Sequence, residues 1–172
     1  PSDVFDDEPG ENTEELRDRL EGSNINPNTF LATDYLNHFN ELVMFLEMIP
    51  DMPDMLEEAK AWQPKTYSEH FRDSCFSEKD LAIEAYEAAP QQYKVPFDYT
   101  VKLIDKHVAK TIEDLEEPAA ANDTERLRVL VSAAAISIGE LVDTASAIIH
   151  GHKDTSDQDW IDSLMDKTSE DS

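Results

Sequence analysis

The stretch PFDYTVKLIDKHVAKTIEDLEEP, residues 96–118, decides the fold of this chain together with the stretch NDTERLRVLVSAAAISIGELVDTASAIIHG, residues 122–151. Apolar side chains recur in both at spacings of three and four, which is the period of an amphipathic helix. They are Phe97, Val101, Ile104, Val108, Ile112 and Leu115 in the first stretch, and Leu127, Leu130, Ala134, Ile138, Leu141, Ala145 and Ile148 in the second. Because only a short loop joins them, the two helices are expected to pack as an antiparallel hairpin.

The residues at the ends of these stretches predict where the helices begin and end. Pro96 is typical of the first turn of a helix, where its missing N–H is not needed, and Pro118 predicts the end of the first helix. Asp123, or Asn122 beside it, can cap the second helix. Gly151 suits the position just after the second helix, because glycine readily adopts the left-handed backbone that ends helices.

The preceding region is also helical by period. Residues 28–49 carry a third apolar stripe, made of Leu31, Tyr35, Phe39, Leu42, Leu46 and Ile49. Asp54 and Glu57 have the spacing of a capping box at the start of the next helix. Shorter helices are predicted over residues 54–62, 67–75 and 77–89.

The composition agrees with a purely helical fold. No strand pattern of any length occurs, and the chain has only four glycines among 172 residues. The small side chains of SAAAISIG, residues 132–139, predict that a neighbouring helix approaches closely there. The sequence therefore predicts an all-α helical bundle built on the antiparallel hairpin.

The chain is strongly acidic, with 39 Asp and Glu residues against 14 Lys and Arg and a net charge of −25. Much of this charge lies in residues 1–24 and 153–172, which predicts two acidic, solvated arms around a bundle domain of residues 25–152. Nucleic acids and anionic membrane surfaces repel such a protein, so neither is expected as a partner. Basic protein surfaces and metal cations are the partners that this charge favours.

Three features predict a cytoplasmic protein. The single cysteine, Cys75, cannot form an internal disulfide, which is typical of a reducing compartment. The N-terminal residues are acidic and lack the apolar core of a signal peptide. Serines interrupt the longest apolar run, residues 129–138, so no membrane-spanning segment is expected.

Two heptapeptides, YLNHFNE at residues 35–41 and YSEHFRD at residues 67–73, share the pattern Y-x-x-H-F-x-[E/D]. Each places a histidine three residues before a carboxylate, on one face of a helix. Iron, manganese or zinc could bind in the bundle through these side chains, which are His38, Glu41, His70 and Asp73. The order reverses the Glu-x-x-His motif of di-iron bundles. The competing interpretation is therefore that the heptapeptides are packing segments with histidines at the core boundary.

The sequence gives little support for nucleophilic catalysis or for phosphate binding. Cys75 follows His70 by five residues with Asp73 between them, which is not the arrangement of a known triad. The chain has no glycine-rich loop and no G-K-[S/T] motif, so nothing predicts a phosphate site. The sequence assigns no catalytic residue.

The C-terminal segment SDQDWIDSLMD, residues 156–166, is acidic yet contains large apolar side chains. On a helix these form one apolar strip flanked by aspartates, made of Trp160, Ile161, Leu164 and Met165. Apolar anchors on a charged arm commonly bind a groove of a partner protein. The alternative is that Trp160 folds back onto the bundle of its own chain.

This segment resembles the acidic terminal helices with which the chemotaxis phosphatase CheZ and the flagellar switch protein bind receiver domains. Those helices follow the pattern [S/D]-Q-x-x-[I/V]-D-x-L, which is matched by Gln158, Ile161, Asp162 and Leu164. Trp160 stands where a polar residue is more usual. The resemblance is confined to this segment and implies binding of a receiver-like partner. It does not imply phosphatase activity, because the chain has no counterpart of the catalytic Asp/Gln segment.

These patterns predict a non-enzymatic regulatory or adaptor protein whose bundle is a scaffold, compatible with a homodimer formed through exposed helix faces. Its partner is expected to have an apolar groove with a basic rim, contacted by Trp160, Ile161, Asp162, Leu164 and Met165. No cofactor is expected in this interpretation. The alternative is a metal-binding bundle with a storage or redox role. A third possibility is an acidic surface that mimics a polyanion and sequesters a basic protein.

Overall fold

The two longest helices form the hairpin predicted from the sequence. The computed structural model describes residues 11–151. Its helices are α1 Glu11–Leu20, α2 Asn37–Met48, α3 Met55–Ala61, α4 Tyr67–Asp73, α5 Lys79–Ala88, α6 Gln91–Ala120 and α7 Thr124–Ile149, with a 3-10 turn at Thr33–Leu36 before α2. No strand occurs within these residues, so the prediction of an all-α bundle is confirmed.

The predicted apolar stripes form one continuous core. The buried side chains of the hairpin include Phe97, Ile104, Val108 and Leu115 from α6, and Leu127, Ile138, Leu141, Ala145 and Ile148 from α7. All six residues of the third stripe are buried as well. Because α2 packs on α7 and α3 packs on α6, these shorter helices cover one side of the hairpin. Each fully buried Leu, Ile or Phe contributes roughly 1.5–3 kcal/mol to stability.

The N-terminal helix packs one side on this core, while charged side chains on its other side are exposed. Leu16 and Leu20 of α1 are buried in the same apolar cluster as the hairpin residues. Arg19 forms two 3.1 Å hydrogen bonds with the carboxylate of Glu84 in α5, which ties α1 to the bundle. Residues 1–10 and 152–172, which include part of the predicted N-terminal arm and all of the predicted C-terminal arm, lie outside the described residues.

The first turns of α6 lie outside the predicted helix. α6 begins at Gln91, so Pro96 lies inside the helix and not in its first turn. The ammonium of Lys94 lies 4.5 Å from the ring centre of Tyr86 in α5, and the Tyr86 hydroxyl donates to Asp98 at 2.7 Å. These contacts hold the extra turns of α6 against α5. The spacing of apolar residues in the sequence could not predict these contacts, because they join side chains of two different helices.

The other ends of the hairpin follow the predictions with one exception. The Asp123 carboxylate accepts a hydrogen bond from the backbone N–H of Arg126 at 3.2 Å and so caps α7. Gly151 follows the C-cap of α7 with φ +80°, in the left-handed region expected for that position. Pro118 does not end α6, which continues to Ala120, since a proline in the last turn removes only its own N–H.

The helix predicted from residue 28 begins later. The side-chain oxygen of Asn26 accepts hydrogen bonds from two backbone N–H groups of the following residues, at 2.8 and 3.0 Å, and so forms a turn. Phe30 is fully buried with φ +65°, a backbone conformation that a helix cannot contain. The turn brings the Thr29 hydroxyl to the end of α7, where it donates to the carbonyl of Ile149 at 2.7 Å.

The run of small residues in α7 does not make the predicted close contact on its outer side. Ser132, Ala133 and Ile136 are exposed. A Cβ atom added to Gly139 would meet no atom within 4 Å. The prediction is wrong for these residues, because the shorter helices pack on the other side of α7.

We expect Thr66→Ala to lower the free energy of unfolding by about 1 kcal/mol, the usual cost of losing a helix cap. The Thr66 hydroxyl accepts from the Glu69 N–H and the Glu69 carboxylate accepts from the Thr66 N–H, both at 3.1 Å, which makes a capping box for α4. Asp54, predicted to cap α3, makes no such bond. Asp54→Ala is the matched control and should cost under about 0.5 kcal/mol. Equal losses in urea denaturation would contradict this assignment.

Candidate functional site

The two heptapeptides lie side by side in the bundle. The first spans the 3-10 turn and the start of α2, and the second is α4. The ring centres of Tyr35 and Tyr67 are 5.3 Å apart, and those of His38 and His70 are 6.1 Å apart. Equivalent positions of the two heptapeptides therefore meet, tyrosine against tyrosine and histidine against histidine.

The two tyrosines anchor backbone segments. The Tyr35 hydroxyl donates to the carbonyl of Lys65 at 2.6 Å, and the Tyr67 hydroxyl accepts from the N–H of Ala32 at 2.8 Å. Burial raises the pKa of both hydroxyls, so both remain protonated. The first residue of each heptapeptide thus has a structural role.

His38 is buried, with 7% of its surface exposed. Its ring stacks on Trp62, with ring centres 4.4 Å apart and an angle of 23° between the planes. The Trp62 indole N–H donates to the His38 carbonyl at 3.2 Å. Burial, with smaller contributions from His70 and Lys65, lowers the pKa of His38 to about 4, so the ring is neutral at neutral pH. Its Nε2 has no hydrogen-bond partner within residues 11–151.

His70, unlike His38, has a carboxylate partner. Its Nε2 lies 3.0 Å from Oδ2 of Asp34, the residue that precedes Tyr35. The carboxylate that was predicted to act with His70 is that of Asp73, which is exposed and pairs with Lys65 at 3.3 Å. In the structure, the carboxylate beside His70 is therefore that of Asp34, which sequence spacing did not indicate, and not that of Asp73.

The four predicted metal ligands are only partly brought together. His38 and His70 are neighbours, whereas Glu41 and Asp73 are both exposed. Within the described part of the chain, no group of three or more His, Cys, Asp or Glu side chains is arranged to hold a metal ion. Asp34 lies within hydrogen-bonding distance of one member of this pair, His70.

Asp105 of α6 is a partly buried ionisable group that the sequence patterns did not indicate. Its Oδ1 has no hydrogen-bond partner among the described residues, and burial raises its pKa to about 6. Its charge also contributes to the raised pKa of Tyr35, so the two groups are near each other. The sequence signal that could have indicated Asp105 is its position directly after Ile104, at the edge of the apolar stripe of α6.

Two helix faces keep large apolar side chains at the surface. Val129 and Ile136 of α7, which are 68% and 64% exposed, lie seven residues apart and so share one side of the helix. We call this side the outer face of α7. Met44 and Met48 lie four residues apart on α2 and are 52% and 45% exposed, and together with Met52 after the helix, which is 57% exposed, they form the methionine face.

A groove runs between α6 and α7 beside the outer face of α7. Its volume is about 200 Å³. We call it the α6–α7 groove, and its lining consists of His107, Lys110, Thr111 and Asp114 from α6 and Leu130, Ala133, Ala134 and Ser137 from α7. Polar side chains of α6 thus face small, mainly apolar side chains of α7.

Among the described helices, α7 alone is long and apolar enough to cross a membrane by length and composition. Only 28% of its most apolar 18-residue stretch is buried, which agrees with the exposed outer face. Glu140 and Asp143 are also exposed on this helix, and a lipid environment would have to accommodate both carboxylates.

The predicted partner-binding side chains lie outside the described residues. They are Trp160, Ile161, Asp162, Leu164 and Met165. Comparisons with known proteins do not identify a relative: no family model matches the chain, and neither does any curated protein or solved structure.

The free energy of unfolding should depend on pH through His38 and Asp105 in opposite directions. His38 binds a proton more readily in the unfolded chain, where its pKa is 6.5, than in the folded one, where it is about 4. Its contribution to stability is therefore lost as the pH falls through this interval. Asp105 binds a proton more readily in the folded chain, with a pKa of about 6 against 3.8, so its contribution is lost as the pH rises.

We expect Asp105→Asn to raise the free energy of unfolding at pH 7 by up to about 3 kcal/mol, because it removes a partly buried carboxylate whose Oδ1 has no partner within residues 11–151. The variant should lose stability more steeply than the wild type on acidification from pH 6.5 to 4, since His38 then acts without the opposing group. Denaturant titrations across this range measure both effects. Asp143→Asn, at an exposed carboxylate, is the control and should follow the wild-type profile. Parallel profiles for Asp105→Asn and wild type would contradict the assignment.

Proposed function

We propose that this chain is a non-enzymatic regulatory or adaptor protein that binds a protein partner through its acidic segment, residues 156–166. The observation that supports a binding role is the outer face of α7, where Val129 and Ile136 remain more than 60% exposed on a helix of the central hairpin. Soluble proteins rarely keep grouped large apolar side chains at the surface without an interaction that uses them.

The acidic segment is suited to docking into an apolar groove. Its strip of Trp160, Ile161, Leu164 and Met165 supplies the apolar contact, and tryptophan is among the residues most enriched at the energetic centre of interfaces. The surrounding aspartates speed and orient the encounter with a basic rim more than they add affinity. The resemblance to receiver-binding helices makes a response-regulator receiver domain the first partner class to test.

Trp160→Ala should weaken binding to the partner at least about 30-fold, the affinity change that corresponds to a lost interface anchor. The full chain, immobilised, is first used to capture partners from a cell extract and to bind purified receiver domains. The affinity of each protein so identified is then measured by titration calorimetry. Circular dichroism checks that the bundle helicity is unchanged.

Ser163→Ala is the matched control, because it changes a polar residue of the same segment and should leave the affinity intact. Unchanged binding by Trp160→Ala would remove the segment as the binding element. A loss of bundle helicity in that variant would instead make Trp160 part of the core. A steep loss of affinity with salt in both variants would favour the polyanion-mimic interpretation over groove docking.

Metal binding is the second candidate, favoured by one observation. His38 Nε2 is a buried ring nitrogen without a hydrogen-bond partner among residues 11–151, and His70 lies beside it. A metal at this position would be held by the two histidines and not by Glu41 or Asp73, which are exposed, while Asp34 would orient the ring of His70 through its hydrogen bond.

Elemental analysis of chain purified without a tag or chelator tests the metal candidate. Iron, manganese or zinc near one equivalent, lost in the double variant His38→Gln/His70→Gln but retained in Glu41→Gln, would support it. The same metal content in all three proteins would exclude the histidine pair as ligands.

A further inference from the structure

We propose that the acidic segment 156–166 binds in cis, in the α6–α7 groove of its own chain, and leaves this groove when it binds a partner. Docking in the groove is independent of the function proposed above. Release to a partner rests on that function. The groove and the outer face of α7 are thus the resting site of the segment.

The groove offers an apolar surface of suitable size. Leu130, Ala133 and Ala134 supply its α7 wall, and Ile136 continues the apolar surface on the outer face. A cavity of roughly 150 Å³ holds a benzene molecule, so a groove of about 200 Å³ accommodates one large aromatic side chain. Trp160 is the largest apolar side chain of the segment.

The charges on α6 complement the aspartates of the segment. Lys102, Lys106 and Lys110 are exposed at every fourth position and follow one side of α6, although the whole chain has only 14 Lys and Arg. Lys110 lines the groove and pairs with Asp114 at 3.3 Å. Because an exposed pair of this kind is worth only about 0.3–0.5 kcal/mol, Lys110 is available to a second carboxylate.

The chain that follows α7 is long enough to reach the groove. Gly151, with φ +80°, ends the helix and turns the backbone away from its axis. Residues 137–134 lie 12–15 residues before Ile149, which is about 18–23 Å along a helix. The eight residues 152–159 span at most about 26–29 Å when extended, so Trp160 can reach the groove near Ser137.

Two considerations favour this segment over a second copy of the chain as the occupant. Each chain carries a net charge of −25, so two copies repel each other. The segment, in contrast, is tethered, and a short linker gives an effective concentration in the millimolar range. A weak contact that could not hold two chains together is therefore sufficient in cis.

The test is ¹⁵N relaxation of the full-length chain without a partner. We expect the backbone of residues 157–166 and the Trp160 indole N–H to relax as slowly tumbling parts of the bundle. Ala133→Glu fills the groove and adds a negative charge, so these signals should change to those of a rapidly moving chain. The indole N–H of Trp62, hydrogen-bonded in the core, should stay unchanged as an internal reference.

Met48→Glu is the matched control, because it places the same charge on the exposed methionine face. It should leave residues 157–166 in the docked state. Circular dichroism and urea denaturation confirm that both variants keep the fold.

Four results would overturn the proposal. The segment could move rapidly in the unmodified chain, or stay rigid in Ala133→Glu. Release by Met48→Glu would place it on the methionine face, and rigidity that disappears on dilution would show that a second copy supplies the contact.

Partner capture is a separate measurement: if docking in cis holds, Ala133→Glu should bind the partner several-fold more tightly than wild type. If Trp160→Ala loses partner capture but the segment does not dock in cis, the proposed function holds and the cis docking is wrong.

Discussion

The packing of α6 against α7 is the interaction on which the rest of the structure depends. These two helices are the only described elements long enough to form a core by themselves, and their apolar stripes face each other along most of their length. The shorter helices add apolar side chains to one side of this hairpin. Within residues 11–151 these helices leave the outer face of α7 and the groove beside α6 uncovered.

The cluster of tyrosines and histidines shows how the short helices are held on the hairpin. Tyr35 and Tyr67 are hydrogen-bonded to backbone groups of distant segments, so each ring ties a loop to the bundle. The same tight packing leaves His38 and Asp105 with buried atoms that lack partners among the described residues. Each of these groups favours its uncharged form, because burial opposes the charged one.

The charge distribution connects the bundle with the proposed binding role. A net charge of −25 disfavours the approach of a second copy of the chain to the apolar outer face of α7. The exposed lysines Lys102, Lys106 and Lys110 of α6 form a local exception, and Lys110 lines the α6–α7 groove. A segment that combines aspartates with a tryptophan fits such a surface both electrostatically and by apolar contact. The same aspartates and tryptophan would allow the acidic segment to bind a partner whose apolar groove has a basic rim.

The sequence by itself determined the helical class, the hairpin and most of the core. The spacing of apolar residues is a local property, and Asp123 and Gly151 act within one turn of the helix that they end. Local spacing put His38 and His70 in equivalent positions of the two heptapeptides, and the structure places their rings side by side, whereas Glu41 and Asp73 are exposed. Spacing could not indicate Asp34, because its contact with His70 joins residues 36 positions apart.

Only the tertiary structure decided which side of each helix is covered. α6 begins at Gln91, where Lys94 contacts Tyr86 of α5, and the turn at Asn26 brings Thr29 to the end of α7. The outer face of α7 is exposed although its residues are as apolar as those of a core helix. The physical reason is that the period of a helix shows which residues share a side, whereas burial depends on whether another part of the chain is there to cover it.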